Sequence, residues 1–152
     1  MDTKKIIEQV KKLRDELGLS IMDIKEALVE AGGDEAKAKE ILKKKGFAKA
    51  EKKALRDTKE GRVFVYRHAT EKMAVIVELL CETDFVAKGE DFASLGKEIA
   101  IHIAAMDPQN GKELLKQEYV KDPSTTIDSM IKAVVAKLGE NIKVGKFVRY
   151  EI

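Results

Sequence analysis

Tryptophan is absent from this 152-residue chain; proline occurs twice, histidine twice and cysteine once. Each shortage excludes something. A lone thiol, Cys81, cannot close an intrachain disulfide, so the fold must be held by packing and a reducing compartment is expected. Aromatic residues make up 5% of the chain and arginine supplies 5 of the 29 basic residues, which leaves few platforms for stacked bases. The 27 acidic residues are interspersed among the basic ones and bring the net charge to +2. That pattern belongs to a solvated surface and not to a nucleic-acid footprint, so no direct nucleic-acid partner is expected. No run of about 18 apolar residues offers a membrane span, and Met1-Asp2-Thr3-Lys4-Lys5 leads straight into an amphipathic pattern without the apolar core of a signal peptide. The expectation is a soluble, cytoplasmic protein with no membrane partner. There is no glycine-rich phosphate loop, no cluster with metal-ligand spacing and no nucleophile beside a base. An enzyme is therefore the weakest reading, and neither cofactor nor metal is expected.

What the chain does have is 44% hydrophobic residues, enough for a packed core, distributed with two different periods. Over residues 1–46 the period is helical. Ile6, Val10, Leu13 and Leu17 step by four, three and four, closed by Gly18. Ser20-x-x-Asp23 resembles a capping box ahead of Ile24, Ala27, Leu28 and Ala31, closed by Gly32-Gly33. Asp34 caps a third block with Ala38, Ile41 and Leu42, for which Gly46 reads as the stop. Three helices with such short links must pack as a compact bundle. Residues 47–60 are rich in Ala, Lys and Glu and read as a semi-rigid helical spacer ended by Gly61; acids interrupt its basic run, which argues for a solvated face over an RNA patch.

Residues 61–152 switch to alternation. Val63 and Val65 alternate with Phe64 and Tyr66, and a hairpin connection follows at His68-Ala69-Thr70-Glu71. Met73, Val75, Val77, Leu79 and Cys81 then share one face of the next strand. Its other face carries Ala74, Ile76 and Leu80, so both faces of the sheet need cover. A helix with Phe92, Leu95, Ile99, Ile103 and Met106 is stopped by Asp107-Pro108. After a short helical piece from Lys112 to Gln117, Thr125-x-x-Asp128 reads as the cap of a helix with Ile127, Met130 or Ile131, Val134 and Leu138. A last strand places Val144, Val148, Tyr150 and Ile152 opposite Phe147, Arg149 and Glu151. The fold class expected is α+β: a three-helix bundle, then a small antiparallel sheet with packed helices. His102 reads as a packed or surface residue and Cys81 as an inert buried thiol.

The corner between the second strand and its following helix is Cys81-Glu82-Thr83-Asp84-Phe85-Val86-Ala87-Lys88. An acid and a large aromatic stand side by side where the chain leaves the sheet, a favoured place for function; from the residues alone, Phe85 is as readily core as presented. This segment resembles the TDFVA signature of bacterial-type elongation factor Ts. The resemblance extends to Val10-Lys11-Lys12-Leu13-Arg14, Ile21 through Leu28 and Ala31-Gly32-Gly33-Asp34, which are similar to that family's ubiquitin-associated-like domain, and to Leu114 through Asp122 and Leu138 through Glu151. Two departures are visible: Leu17 replaces the family's usual Thr, and a helical insertion carried by longer members is missing between Asp107-Pro108 and Gly111-Lys112.

The resemblance implies a guanine-nucleotide exchange factor for elongation factor Tu, in its GDP-bound and nucleotide-free states. It implies that Thr83, Asp84, Phe85 and Val86 intrude near the magnesium and nucleotide site of that partner, and that Arg14, Ile21, Met22 and Lys25 grip its nucleotide domain. From the residues alone Ile21 and Met22 fit an internal core as well. The family also places a partner-contacting histidine where His68 falls, a position that equally suits a solvent-exposed turn. The alternative function is a non-catalytic adaptor that uses only the helical bundle. Some family members carry two copies of the sheet unit where this chain has one, so a homodimer is expected through the sheet modules.

Overall fold

The computed structural model describes residues 2–152. In chain order the elements are α1 (Thr3–Leu17), α2 (Ile21–Glu30), α3 (Glu35–Lys53), β1 (Glu60–Arg67), β2 (Met73–Cys81), α4 (Asp84–Ala87), α5 (Glu90–Met106), α6 (Gly111–Lys116), β3 (Glu118–Tyr119), β4 (Asp122–Thr126), α7 (Ile127–Leu138) and β5 (Ile142–Glu151). The class is α+β, helices first and then an antiparallel sheet covered by helices.

The first three helices begin where short polar side chains can satisfy free N–H groups. Asp2 accepts from the Lys4 N–H, Ser20 from Asp23 and Asp34 from Lys37, each at 3.1 Å; such caps contribute about 1 kcal/mol apiece. Gly18 closes α1 in the left-handed region with φ 66°, donating to the Arg14 carbonyl. Leu13, Ile24, Ala27, Leu28, Ala38 and Leu42 form a small core belonging to these helices alone.

The third helix does not stop at Gly46. It runs on to Lys53 and so takes in the first half of the stretch expected as a spacer. Gly46 is buried where α3 crosses α7, and a Cβ there would stand 3.0 Å from the Cβ of Ala136. The glycine serves close helix approach, not termination. The next residue, Phe47, lies beneath the ammonium groups of Lys43 and Lys132, and one turn after Gly46 Ala50 enters the main core. Gly61 is likewise no stop; it is already in β1, paired with Leu80.

The sheet has the order β1-β2-β5, antiparallel throughout. Its inner face carries Phe64, Val75, Val77, Leu79, Cys81 and Ile142 against Phe92, Leu95, Ile99 and Ile103 of α5 and Ile127, Ile131 and Val135 of α7. A β-bulge sets Glu78 opposite Gly145 and Lys146, and the Glu78 carboxylate accepts the freed Lys146 N–H at 3.0 Å. The extra residue corrects the expected alternation: Val144 pairs with Leu79 on the inner face, while Val148 and Tyr150 pair with Ile76 and Ala74 on the outer. That outer face is open. Val63, Val65, Ile76, Val148 and Tyr150 are all exposed, and residues 47–60 do not lie over it.

Two further details differ from the pattern reading. The cap of α7 is Thr126, whose hydroxyl accepts the Ser129 N–H at 3.1 Å, and not Thr125; the buried stripe is Ile127, Ile131 and Val135, with Val134 and Leu138 half-buried. The two-stranded β3–β4 ribbon carries no period long enough to read. It is fastened by His102, which is fully buried in α5: Nδ1 accepts the Val120 N–H at 3.2 Å, and in that tautomer Nε2–H donates to Gln117 Oε1 at 2.9 Å. Tyr119 donates to Glu98, which also holds Lys121. Among the described residues, no helix is long and apolar enough to cross a membrane.

Candidate functional site

At the end of β2, Cys81 turns inward and its Sγ–H donates to the Thr83 carbonyl at 3.1 Å. Burial pushes this thiol above its ordinary pKa, so it stays protonated and unreactive. Thr83 is extended (φ −126°, ψ 154°) and caps α4, its hydroxyl accepting from the Val86 N–H at 3.4 Å. The helix is a single turn. Val86 and Ala87 face the core, and geometry then turns Phe85 outward, where it is 84% exposed. Phe85 is presented, not packed. Asp84 beside it pairs with Lys88 at 3.0 Å, and the hydrogen bond from that ammonium holds its carboxyl below the usual range. Val86, Gly89, Phe92 and Leu138 make a shallow apolar rim beside Phe85, edged by the charged Lys88 and Asp91.

A one-turn helix is too short to hold its own direction, and the turn after α7 holds it from outside. Gly139 ends α7 with φ 77°. Glu140 then takes two bonds from one residue: the Thr83 N–H donates to Oε1 at 3.0 Å and the Thr83 hydroxyl to Oε2 at 2.7 Å. The Asn141 N–H donates to Glu82 at 2.7 Å, and its side-chain amide donates to the carbonyls of Ala54 and Arg56 at 3.3 and 2.8 Å. Arg62 reaches the Ala87 carbonyl at 3.4 Å. Sequence reasoning named none of Glu82, Glu140 or Asn141 as site residues. The available signal was a left-handed stop followed by an acid and an amide directly before an apolar strand.

The second group of expected residues lies at the turn between α1 and α2. Met22 is 70% exposed and Ile21 49%, so neither is core. Lys25 follows at helical spacing, and Arg14, also exposed, is in the last turn of α1. This turn sits near the first site through Lys137. Gly18 packs on the Lys137 methylenes, and the Lys137 ammonium pairs at 3.0 Å with Asp91 on the Phe85 rim. His68 is elsewhere. Its ring accepts the Thr70 N–H at 3.2 Å in the β1–β2 turn, at the opposite end of β2 from Phe85, roughly 25 Å away at the usual rise per strand residue.

No group of three His, Cys, Asp or Glu side chains able to hold a metal occurs among the described residues. The chemistry on offer is that of a protein-binding surface: an exposed aromatic, an acid and an apolar rim on a braced corner.

Comparison with known proteins bears on that surface. The family model described as "Elongation factor TS" matches residues 82–152. Elongation factor Ts of Fervidobacterium nodosum is 42% identical over 190 aligned positions, covering 95% of the chain and 96% of that protein; that of Leptospira biflexa is 40% identical with the same coverage. The alignments are longer than the 152-residue chain, so these relatives carry additional residues inside the matched stretch. Elongation factor Ts of Aquifex aeolicus is 47% identical over 150 residues, and the chain spans about half of it, 52%.

Proposed function

Because this chain belongs to the elongation factor Ts family, we propose that it is a guanine-nucleotide exchange factor of translation elongation, acting on elongation factor Tu in its GDP-bound and nucleotide-free states. The observation that carries this reading is the braced corner, which holds Phe85 84% exposed beside the Asp84–Lys88 pair. A bare adaptor built on the helical bundle has no use for it.

The mechanism makes and breaks no covalent bond. Factor and nucleotide each bind elongation factor Tu and each weakens the other, so a ternary complex releases GDP sooner. The coupling is reciprocal: whatever the factor removes from GDP affinity, GDP removes from factor affinity. The factor therefore speeds equilibration and leaves its direction to nucleotide concentrations. Phe85 enters the nucleotide domain as a wedge near the magnesium site, with Thr83 fixing its approach, Asp84 at its side and Val86 anchoring it to the core. Disturbing the ion weakens neutralisation of the phosphates. Arg14, Ile21, Met22 and Lys25 grip the same domain and supply binding free energy that holds the strained complex together. The division we infer is a gripping module at residues 1–46, a connecting segment at 47–60 and an exchange module at 61–152. His68, at the far end of the sheet, is assigned a separate partner contact.

The open outer sheet face supports one further part of the reading, a twofold homodimer through the sheets that displays two Phe85 corners. Val65, Ile76 and Tyr150 on that face are 66%, 45% and 72% exposed, an apolar surface for a second copy to cover.

The decisive experiment is GDP release from elongation factor Tu with Phe85→Ala. Burying a phenylalanine at an interface is worth roughly 1.5–3 kcal/mol, so we expect about a ten- to hundredfold loss of exchange with an unchanged melting temperature, because the ring touches little in the free protein. Wild-type release by the folded variant would sink the wedge.

A further inference from the structure

We propose that Glu140 is a positioning residue for the exchange surface: through its two bonds to Thr83 it sets the direction in which Phe85 is presented. The proposal rests on the exchange reading above and assigns a role to a residue that touches no nucleotide.

The argument begins with what α4 lacks. Its four residues cannot fix a direction by their own backbone bonds, and its presented side chain, 84% exposed, is too little enclosed to be steered by packing. The inward pair Val86 and Ala87 anchors one side only. The direction of Phe85 therefore depends on the backbone angles at Thr83, where the chain leaves extended conformation for helix. Among the described residues, Glu140 is the side chain that binds both the N–H and the hydroxyl of Thr83, at 3.0 and 2.7 Å. It is itself held on both sides. Gly139 needs its positive φ of 77°, and Asn141 is fastened to Glu82, Ala54 and Arg56. The brace thus runs from the α3–β1 junction through residues 139–141 to Thr83.

Exposure separates positioning from mere stabilisation. Thr83 is exposed and Glu140 half-exposed, so water can satisfy the Thr83 groups when the carboxylate is removed, and the penalty for an unpaired buried donor does not arise. The fold then loses little, while the angle of Phe85 loses its outside constraint. A recognition group needs placement to within about 0.5 Å, a tolerance that a freely swinging single turn does not meet.

The test uses the full chain and elongation factor Tu loaded with a fluorescent GDP analogue, with release measured against factor concentration. Glu140→Ala is expected to lower the release rate at saturating factor about tenfold, as for the loss of two modest hydrogen bonds, with a smaller change in the half-saturating concentration and a Tm shift of about two degrees or less. Glu140→Gln is expected to recover most of the rate, because its amide can accept from the Thr83 N–H and donate to the hydroxyl. Thr83→Val is expected to mimic Glu140→Ala, and the double variant to be no worse than the poorer single one. A wild-type rate for Glu140→Ala alongside an impaired Phe85→Ala overturns the positioning role and leaves the exchange reading intact. If Phe85→Ala is also unimpaired, the exchange reading falls and takes the positioning role with it. Loss in Glu140→Gln equal to that in Glu140→Ala, without mimicry by Thr83→Val, overturns positioning in favour of a direct contact by the charge.

Discussion

Replacing Gly96 by alanine sets two effects of opposite sign against each other within α5. Glycine in a helix interior is about 1 kcal/mol worse than alanine, so on propensity alone Gly96→Ala stabilises. Packing argues the other way. Gly96 is buried beneath the ring of Phe64 on β1, and a Cβ there would lie under 3.0 Å from Cδ2, Cε2 and Cζ of that ring. The ring has little freedom to yield. It is 5% exposed, meets Phe92 at a centroid distance of 6.0 Å and lies under the Arg62 guanidinium at 5.0 Å. Restoring ordinary carbon–carbon contact requires a ring shift of about 1 Å or more, and overpacking of this kind costs about 1–3 kcal/mol. We therefore expect packing to win by up to roughly 2 kcal/mol, which at about 2–4 °C per kcal/mol for a chain of this size lowers Tm by up to about 8 °C. Thermal and urea unfolding followed by circular dichroism measure this, with an unchanged urea m-value showing that the unfolded state is not involved. Phe64→Leu in the Gly96→Ala background removes the colliding ring, so the two substitutions should be markedly non-additive. A Gly96→Ala protein more stable than wild type, or strict additivity with Phe64→Leu, refutes the reasoning.

Three other outcomes are expected. Ile76→Asp introduces a charge in the middle of the outer sheet face; because that side chain is already 45% exposed, the subunit should stay folded while light scattering shows halved mass, and a wild-type protein running as a clean 17.0 kDa monomer would remove the dimer. Deleting residues 1–46 should weaken binding to elongation factor Tu yet leave residues 61–152 with a cooperative transition, since the sheet, α5 and α7 share their own core; non-cooperative melting would count against separate modules. Burial lowers the pKa of His102, so the unfolded chain takes up its proton first as pH falls. The stability held by neutral His102 is complete above the unfolded value of about 6.5 and drains away below it; unfolding midpoints should drop between pH 7.5 and 5.5, above the carboxylate range, and His102→Gln should flatten that slope.

The parts of the fold legible in the sequence are those decided by neighbours in the chain. Ser20, Asp34 and Gly18 announce helix ends because each bonds a backbone group within four residues of itself. The stripes Ile24–Ala27–Leu28 and Phe92–Leu95–Ile99–Ile103 are read from spacing for the same reason. What escaped reading is decided across long separations. Gly46 looks like a terminator until Ala136 is found against it. The inward turn of Val144 depends on Glu78, a residue far back in the chain, receiving the Lys146 N–H. Of the candidate site, Asp84 and Phe85 stand out by composition and family resemblance, but whether Phe85 points out or in is undecidable over a single turn. The brace supplied by Glu140 and Asn141 is invisible because those residues lie more than fifty positions from the corner they hold.

The place of β5 beside β2 fixes the order in which the molecule is completed during synthesis. The small core of the bundle draws on residues 10–42, so a growing chain can finish it early. The sheet has to wait: β2 keeps one edge bare until residues 142–151 have been made, and Thr83 has nothing to donate to until Glu140 has left the ribosome. A nascent or shortened chain consequently displays the Ile21–Met22 turn well before it displays a directed Phe85. On the proposed exchange reading, the gripping turn is complete before the wedge, and an unfinished chain is expected to act poorly on elongation factor Tu.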